Sequence, residues 1–151
     1  MLFVDRDGTI NVDCPYCHDP SDLRIYMDAV YLMREYSESG YSIIMITNQS
    51  GINRGYFTID QMNAFNRELS ARLKKFGVHI DSIYYCPHKP EEKCRCRKPE
   101  RGMIDMATHD FDIDLKNSII LGDRDDVDGE LARRIGINYI ILNRNKIELA
   151  D

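Results

Sequence analysis

Apolar residues along this chain fall into two kinds of run, and their alternation sets the expected architecture. Short continuous runs at Leu2–Val4, Tyr41–Thr47, Ser82–Cys86, Ser118–Leu121 and Asn138–Leu142 read as strands buried on both faces. Between them lie stretches with apolar residues at helical spacing. Asp28 predicts a cap for a helix running to about Ser39, with Ala29, Leu32, Met33 and Tyr36 on one face and Gly40 ending it. Thr58 and Gln61 form a capping-box signature for a second helix. There Ile59, Met62, Phe65, Leu69, Leu73 and Phe76 keep helical spacing as far as Gly77. Further helices are expected from about Met103 to His109 and over 125–135, the latter with Leu131, Ala132 and Ile135 inward. Residues 10–27, which contain Pro15 and Pro20, read as a polar loop, and residues 87–102 as too irregular for regular structure. Strands alternating with helices predict an α/β fold with a mainly parallel sheet covered on both faces.

Ligands of such sheets bind beyond the carboxyl ends of the strands. Asp5, Thr47 and Asp123 all stand at such ends. The first strand stops at Asp5-Arg6-Asp7-Gly8-Thr9, where Gly8 and Thr9 suggest a turn that lets both carboxylates converge above the strand. Two acids beside a core are costly unless a cation or a reaction uses them; a solvated Asp-Gly turn is the alternative reading. Asp5, the backbone of Asp7, and Asp123 offer hard oxygen ligands suited to Mg²⁺. Thr47 and Lys98 supply donors for phosphoryl oxygens. With those parts, Asp5 is a nucleophile for in-line attack on phosphorus, and Asp7 a proton donor and then acceptor.

Length and charge narrow the field. At 151 residues and 17.6 kDa, one domain over 1–151 is expected. A net charge of -5 gives no support for nucleic acid or an anionic membrane as a partner. No signal peptide is visible, and the longest apolar runs, Ile43–Ile46 and Tyr139–Leu142, are too short to span a bilayer, so a cytoplasmic location is expected.

Five cysteines fall into two clusters, and an odd count in a cytosolic chain argues for metal binding or free thiols over a disulfide framework. Cys86-x-His88 and Cys94-x-Cys96 place four soft or borderline ligands within eleven residues, enough for a closed tetrahedral Zn²⁺ site. With no open position that zinc is structural; its expected job is to shape the loop and fix Arg97 and Lys98 just after Cys96. Cys14-Pro15-Tyr16-Cys17 fits a redox pair or half a zinc site, but it does not open a helix after a strand and is read as a chance pair in a substrate loop. His18 is expected to be an exposed loop histidine, and His79 and His109 have no constellation around them.

Together these motifs resemble the haloacid dehalogenase superfamily, whose phosphatases carry D-x-D-G-T, a Ser/Thr after the second strand, a Lys, and a late G-D…D. Here they are Asp5-Arg6-Asp7-Gly8-Thr9, Thr47, Lys98 and Gly122-Asp123…Asp128. Three longer stretches look like the histidinol-phosphatase/heptose-bisphosphatase subfamily: Asp5 through Asp13, Thr47-Asn48-Gln49-Ser50-Gly51-Ile52 with Arg54-Gly55, and Cys94–Pro99. The resemblance implies a three-layer, Rossmann-like fold and a Mg²⁺-dependent phosphomonoesterase working through an aspartyl phosphate. It implies catalytic or Mg²⁺-binding roles for Asp5, Asp7, Thr47, Arg97, Lys98 and Asp123. Asp128 matches the second acid of the late motif best, with Asp126 the alternative. It further implies a substrate lining of Asp13, Cys14, Pro15, Tyr16, Thr47, Asn48, Gln49, Ser50, Arg97, Lys98 and Arg124.

Neither usual insertion point is long enough for a cap domain, so an open site for a small phosphorylated molecule is expected, on a monomer. The 7-phosphate of D-glycero-D-manno-heptose 1,7-bisphosphate is the favoured target, its second phosphate needing a cation from among Arg54, Lys89, Arg101 and Arg124. The five-residue gap between His88 and Cys94 is short, as in histidinol phosphatases, which makes histidinol phosphate the alternative. Asp, Thr and Lys at strand ends also describe non-enzymatic phospho-receiver modules. Those phosphorylate an Asp ending the third strand, for which this chain has no counterpart before Thr47.

Overall fold

The computed structural model describes residues 1–144 and the backbone of residues 149–150. Strand β1 (Leu2–Val4) is followed by a short β2 (Ile25–Tyr26), helix α1 (Met27–Glu38), β3 (Ile43–Asn48), α2 (Ile59–Lys75) and β4 (Ser82–Cys86). Helix α3 (Gly102–Asp110), β5 (Ile119–Gly122), α4 (Glu130–Ile135), β6 (Asn138–Ile141) and β7 (Leu149–Ala150) complete the order. Five strands form one parallel sheet in the order β4-β3-β1-β5-β6. Only three residues long, β1 lies in the middle and pairs on both edges, Val4 with Met45 and with Leu121. The chain turns from one side of β1 to the other after β4, which puts the topological switch point, the usual ligand crevice of open α/β sheets, beside the end of β1.

Alternation along the strands divides the core into two layers. Leu2, Val4, Ile43 and Met45 face α1 and α2 through Ala29, Val30, Met33, Phe65, Leu69 and Leu73. Phe3, Ile44, Ile46 and Ile120 face α3 and α4 through Met103, Ile104, Ala107, Leu131 and Ala132. The expected capping box closes the start of α2, where Thr58 Oγ1 accepts from the Gln61 amide and Gln61 Oε1 accepts from the Thr58 amide. Ile59, at the first turn, is exposed rather than inward.

Four local expectations change. Asp28 does not cap α1: Tyr26 takes that place, and the Asp28 carboxylate lies inside the first turn, held by Arg144. Residues 10–27 are not only a polar loop. Ile10, Cys17, Leu23, Ile25 and Tyr26 are buried in the first core layer, and Ile25–Tyr26 pair antiparallel with Leu149–Ala150. Their apolar residues stand singly among prolines and acids, so no period announces them. The helix over 125–135 is two pieces, a π-helical turn at Asp125–Gly129 and then α4, an irregularity frequent at functional sites. Within 87–102, Pro90–Glu92 forms a 3-10 turn, and Gly102 begins α3 pressed against Arg95, whose carbonyl oxygen would lie 2.4 Å from a Cβ there. No helix among the described residues is long and apolar enough to cross a membrane.

Candidate active site

Asp5 leaves β1 with its amide donating to Leu121 O at 3.0 Å, which fixes the first residue beyond the strand. The chain then folds back on Arg6 O, which accepts from the amides of Thr9 and Ile10, while the Gly8 amide donates to Asn11 O. Gly8 takes φ +85°, and a Cβ there would stand 2.3 Å from Asp123 Oδ2, so the loop passes directly under the end of β5.

Above this turn the charged groups converge. Lys98 Nζ donates to Asp5 Oδ1 at 2.7 Å and to Asp128 Oδ1 at 2.8 Å. The Thr9 hydroxyl lies 2.9 Å from Asp5 Oδ2 and 3.1 Å from Asp123 Oδ1, bridging the two strand ends. Burial, reinforced by Asp128 and Asp123, outweighs the Lys98 ammonium and raises the Asp5 pKa to about 8. Burial opposes charge on Lys98, yet Asp5 and Asp128 together hold its pKa above the ordinary lysine value. The π-helical turn aims Asp128 inward: a Cβ on Gly122 would lie 2.3 Å from the Asp128 carboxylate, an approach only glycine permits. Asp126, the alternative second acid, instead pairs at the surface with Arg124 at 2.8 Å, and Asp125 pairs with Arg133.

Asp7 lines the same cavity but has a different set of partners. Its carboxylate is gripped by the fully buried Arg6 through Nε at 3.0 Å and Nη2 at 2.9 Å, and accepts from Asn11 Nδ2 and Gln49 Nε2. Arg6 also donates to Asn66, Gln49 and Cys17 O and lies over the Phe65 ring, so this interior arginine is paired on every side. Gln49 Nε2 donates to Thr47 Oγ1 at 2.8 Å as well, which leaves the threonine its own proton to donate. Asn48 clamps the lysine backbone, accepting from the Lys98 amide and donating to the Lys98 carbonyl.

Thr47, Asn48, Gln49 and Lys98 line one cavity of ≈ 560 Å³. Every residue expected to touch substrate from 13–16, 47–50, 54, 97, 98 and 124 lines it, together with Asp5, Asp7, Asp123 and Asp128. Lys89 and Arg101 do not; they pair locally with Glu91 and Asp105. Arg54 donates to Ser50 Oγ and stands 5.9 Å from the Tyr16 ring, which in turn meets Tyr56 at 4.6 Å. Burial, with the Asp7 and Asp123 carboxylates, raises the Asp13 pKa above the ordinary aspartate value.

Beside the cavity, Cys86, His88, Cys94 and Cys96 gather their Sγ and Nδ1 atoms, the closest pairs 2.7–3.7 Å apart. This cluster is one able to hold a metal ion. Burial opposes the Cys94 thiolate, but the Arg97 amide and the neighbouring cysteines bring its pKa down to about 7. The three carboxylates of Asp5, Asp123 and Asp128 form the other such group among the described residues. Cys14 and Cys17, read from the sequence as a chance pair in a substrate loop, are joined in a disulfide: the Pro15-Tyr16 turn, with Tyr16 at φ +53°, brings their Cα atoms to 5.3 Å. His18 stacks on Phe57, a packing contact and not a ligand position. Arg6, Asn11 and Arg144 were not singled out from the sequence. Arg6 and Asn11 lie inside the opening motif, where only their fully buried polar side chains betray a role.

The fold is shared with known phosphatases. The family model described as "Polynucleotide kinase 3 phosphatase" matches residues 4–141. A crystal structure of D,D-heptose 1,7-bisphosphate phosphatase from B. bronchiseptica, complexed with magnesium and phosphate, superposes with a TM-score of 0.83 at 29% identity, covering 93% of this chain and 79% of that one. The probable D-glycero-D-manno-heptose-1,7-bisphosphate 7-phosphatase of Thermoplasma volcanium is 55% identical, over 93% of this chain and 97% of the relative. The D-glycero-β-D-manno-heptose-1,7-bisphosphate 7-phosphatase of Yersinia pestis is 37% identical, over 93% and 79%. The chain belongs to the haloacid-dehalogenase-type phosphatases, in their histidinol-phosphatase/heptose-bisphosphatase subfamily.

Proposed function

We propose that this chain is a Mg²⁺-dependent phosphomonoester hydrolase that removes the 7-phosphate of D-glycero-D-manno-heptose 1,7-bisphosphate. The observation that carries the reading is Asp5, held between Lys98 and Thr9 in a cavity that three arginines, Arg54, Arg97 and Arg124, also line. The names of the relatives supply the sugar.

Asp5 attacks phosphorus through a carboxylate oxygen, and the bond from phosphorus to the sugar oxygen breaks. Asp7 gives its proton to that leaving oxygen, then takes one from the water that cleaves the aspartyl phosphate, releasing inorganic phosphate. Arg6, Asn11 and Gln49 hold Asp7 two residues beyond the nucleophile. Lys98 and Thr47 offset charge on the transferring oxygens. The three carboxylate donors of Asp5, Asp123 and Asp128 are hard ligands close enough to share one ion, which fits Mg²⁺, with the Asp7 backbone a further ligand. Mg²⁺ bound there would screen the carboxylates from the incoming phosphate. Zn²⁺ on Cys86, His88, Cys94 and Cys96 would have a structural task, holding Arg97 and Lys98 at the cavity wall. The reading extends to a single domain working as a cytoplasmic monomer on a small sugar phosphate.

Histidinol phosphate remains the second reading on one observation, the short His88–Cys94 spacing. Phosphate release from both compounds decides between them. A higher kcat/KM on the heptose bisphosphate, with ³¹P NMR showing loss of the 7-phosphate, is expected. A clear preference for histidinol phosphate reverses the choice, and no Mg²⁺-dependent release from either refutes the hydrolase.

A further inference from the structure

The turn that carries Asp5 pairs its amides internally but leaves two buried carbonyls to be met from outside it. The Gly8, Thr9 and Ile10 amides are satisfied inside the turn, which leaves the carbonyl oxygens of Gly8 and Thr9 directed away from it. Both are met by one side chain 135 residues or more along the chain. Arg144 Nε donates to Gly8 O at 2.7 Å, and its Nη2 donates to Thr9 O. Its Nη1 lies 2.8 Å from both oxygens of Asp28, and its guanidinium carbon stands 3.7 Å from the centre of the Tyr26 ring. The Leu142 amide, donating to Gly122 O, brings the chain leaving β6 over this spot.

We propose that Arg144 is a positioning residue for the nucleophile loop. Resting on the phosphatase reading above, the inference adds a part that belongs to none of the four motifs. By clamping the two carbonyls on either side of the Gly8–Thr9 bend, Arg144 holds the Thr9 hydroxyl where it bridges Asp5 and Asp123. Asp28 and Tyr26 hold Arg144 in turn, so the loop is braced by β2 and the start of α1. The planar fork matters, because donors must leave in three directions at once; a lysine ammonium has the charge but not that spread.

The test compares wild type, Arg144→Ala and Arg144→Lys on p-nitrophenyl phosphate with saturating Mg²⁺, and measures Mg²⁺ affinity separately by calorimetry. For a loop displaced by a fraction of an ångström, Arg144→Ala is expected to lower kcat about 10- to 100-fold, with KM changed less than about threefold. Added guanidinium is expected to restore a large part of the loss in Arg144→Ala, while Arg144→Lys stays impaired. A folded Arg144→Ala with wild-type kcat and Mg²⁺ affinity overturns the proposal, and so does a loss that guanidinium does not rescue, since that marks a purely structural role. Should Arg144→Ala fail to fold, Asp28→Asn, which keeps the arginine but loosens its anchor, decides on the same readouts: a lowered kcat supports the brace and an unchanged one overturns it. An inactive wild type refutes the phosphatase reading instead, and the calorimetric comparison then still judges Arg144.

Discussion

Lys98 Nζ lies 2.7 Å from Asp5 Oδ1 and 2.8 Å from Asp128 Oδ1, so one buried ammonium is shared by two buried carboxylates. Removing the cation leaves both carboxyl groups without their shared donor in the interior. In metal-free protein Lys98→Met is expected to cost about 3–5 kcal/mol of stability, and adding Asp5→Asn to recover part of it. Urea titration of the two variants measures both; a loss under about 1 kcal/mol would mean the carboxylates stay hydrated without their partner. Asp5→Asn alone is expected to fold and to lose turnover on every phosphate ester.

The raised pKa of Asp5 gives metal binding a definite pH dependence. With that pKa near 8, the metal-free folded chain holds a proton that the unfolded chain has released above its ordinary value near 3.8. The sign follows: metal-free stability falls as pH rises between those values, and Mg²⁺, which needs the carboxylate, binds more tightly. Affinity is expected to rise by up to about tenfold per pH unit from 6 towards 8 and then level off. Calorimetry in buffers of different ionisation enthalpy reads the proton released, and a pH-independent affinity contradicts the assignment.

Zinc is expected to act on substrate binding through the loop. Arg97 and Lys98 follow Cys96 directly, and the Arg97 amide sits 3.4 Å from Cys94 Sγ. Chelation is therefore expected to raise KM and speed amide exchange across residues 86–98. Unchanged kinetics in verified zinc-free protein would sink this idea.

We propose that Arg54 reads the phosphate that is not cleaved. Its guanidinium lines the cavity, bonded to Ser50 Oγ and 5.9 Å from the Tyr16 ring, with no contact to the Asp5–Lys98 pair among its hydrogen bonds. Arg54→Ala is expected to raise KM for the bisphosphate about tenfold or more, on the scale of one charge-assisted contact, while hydrolysis of p-nitrophenyl phosphate changes little. Equal losses on both would place Arg54 in the chemical step.

Much of the fold was readable because buried parallel strands announce themselves as unbroken apolar runs, and because their polar terminators Asp5, Thr47 and Asp123 all fall at one sheet edge. Lys98 was legible from its place beside the cysteine loop. What stayed hidden was set by tertiary contact. Ile25–Tyr26 becomes a strand only by pairing with Leu149–Ala150, and Asp28 looks like a cap until Arg144 claims its carboxylate. The π-helical turn at Asp125–Gly129 follows from seating Asp128 under Gly122, a closeness that no periodicity encodes. Cys14 and Cys17 meet because Tyr16 adopts a left-handed backbone, which a bulky residue rarely signals.

The central position of β1 has a consequence for how the molecule is assembled. Its three residues gain one partner strand from Ile43–Met45 and the other only from Ile119–Leu121, more than a hundred residues later. Closing that long span is entropically slow, so Asp5, the proposed nucleophile, follows a strand whose second edge is among the last parts of the chain to be secured. Pulsed hydrogen exchange during refolding would show it: the amides of β1 and β5 gain protection together, after those joining β3 to β4. The proposed nucleophile thus waits for the whole sheet, and a partly folded chain carries the acid without its surroundings.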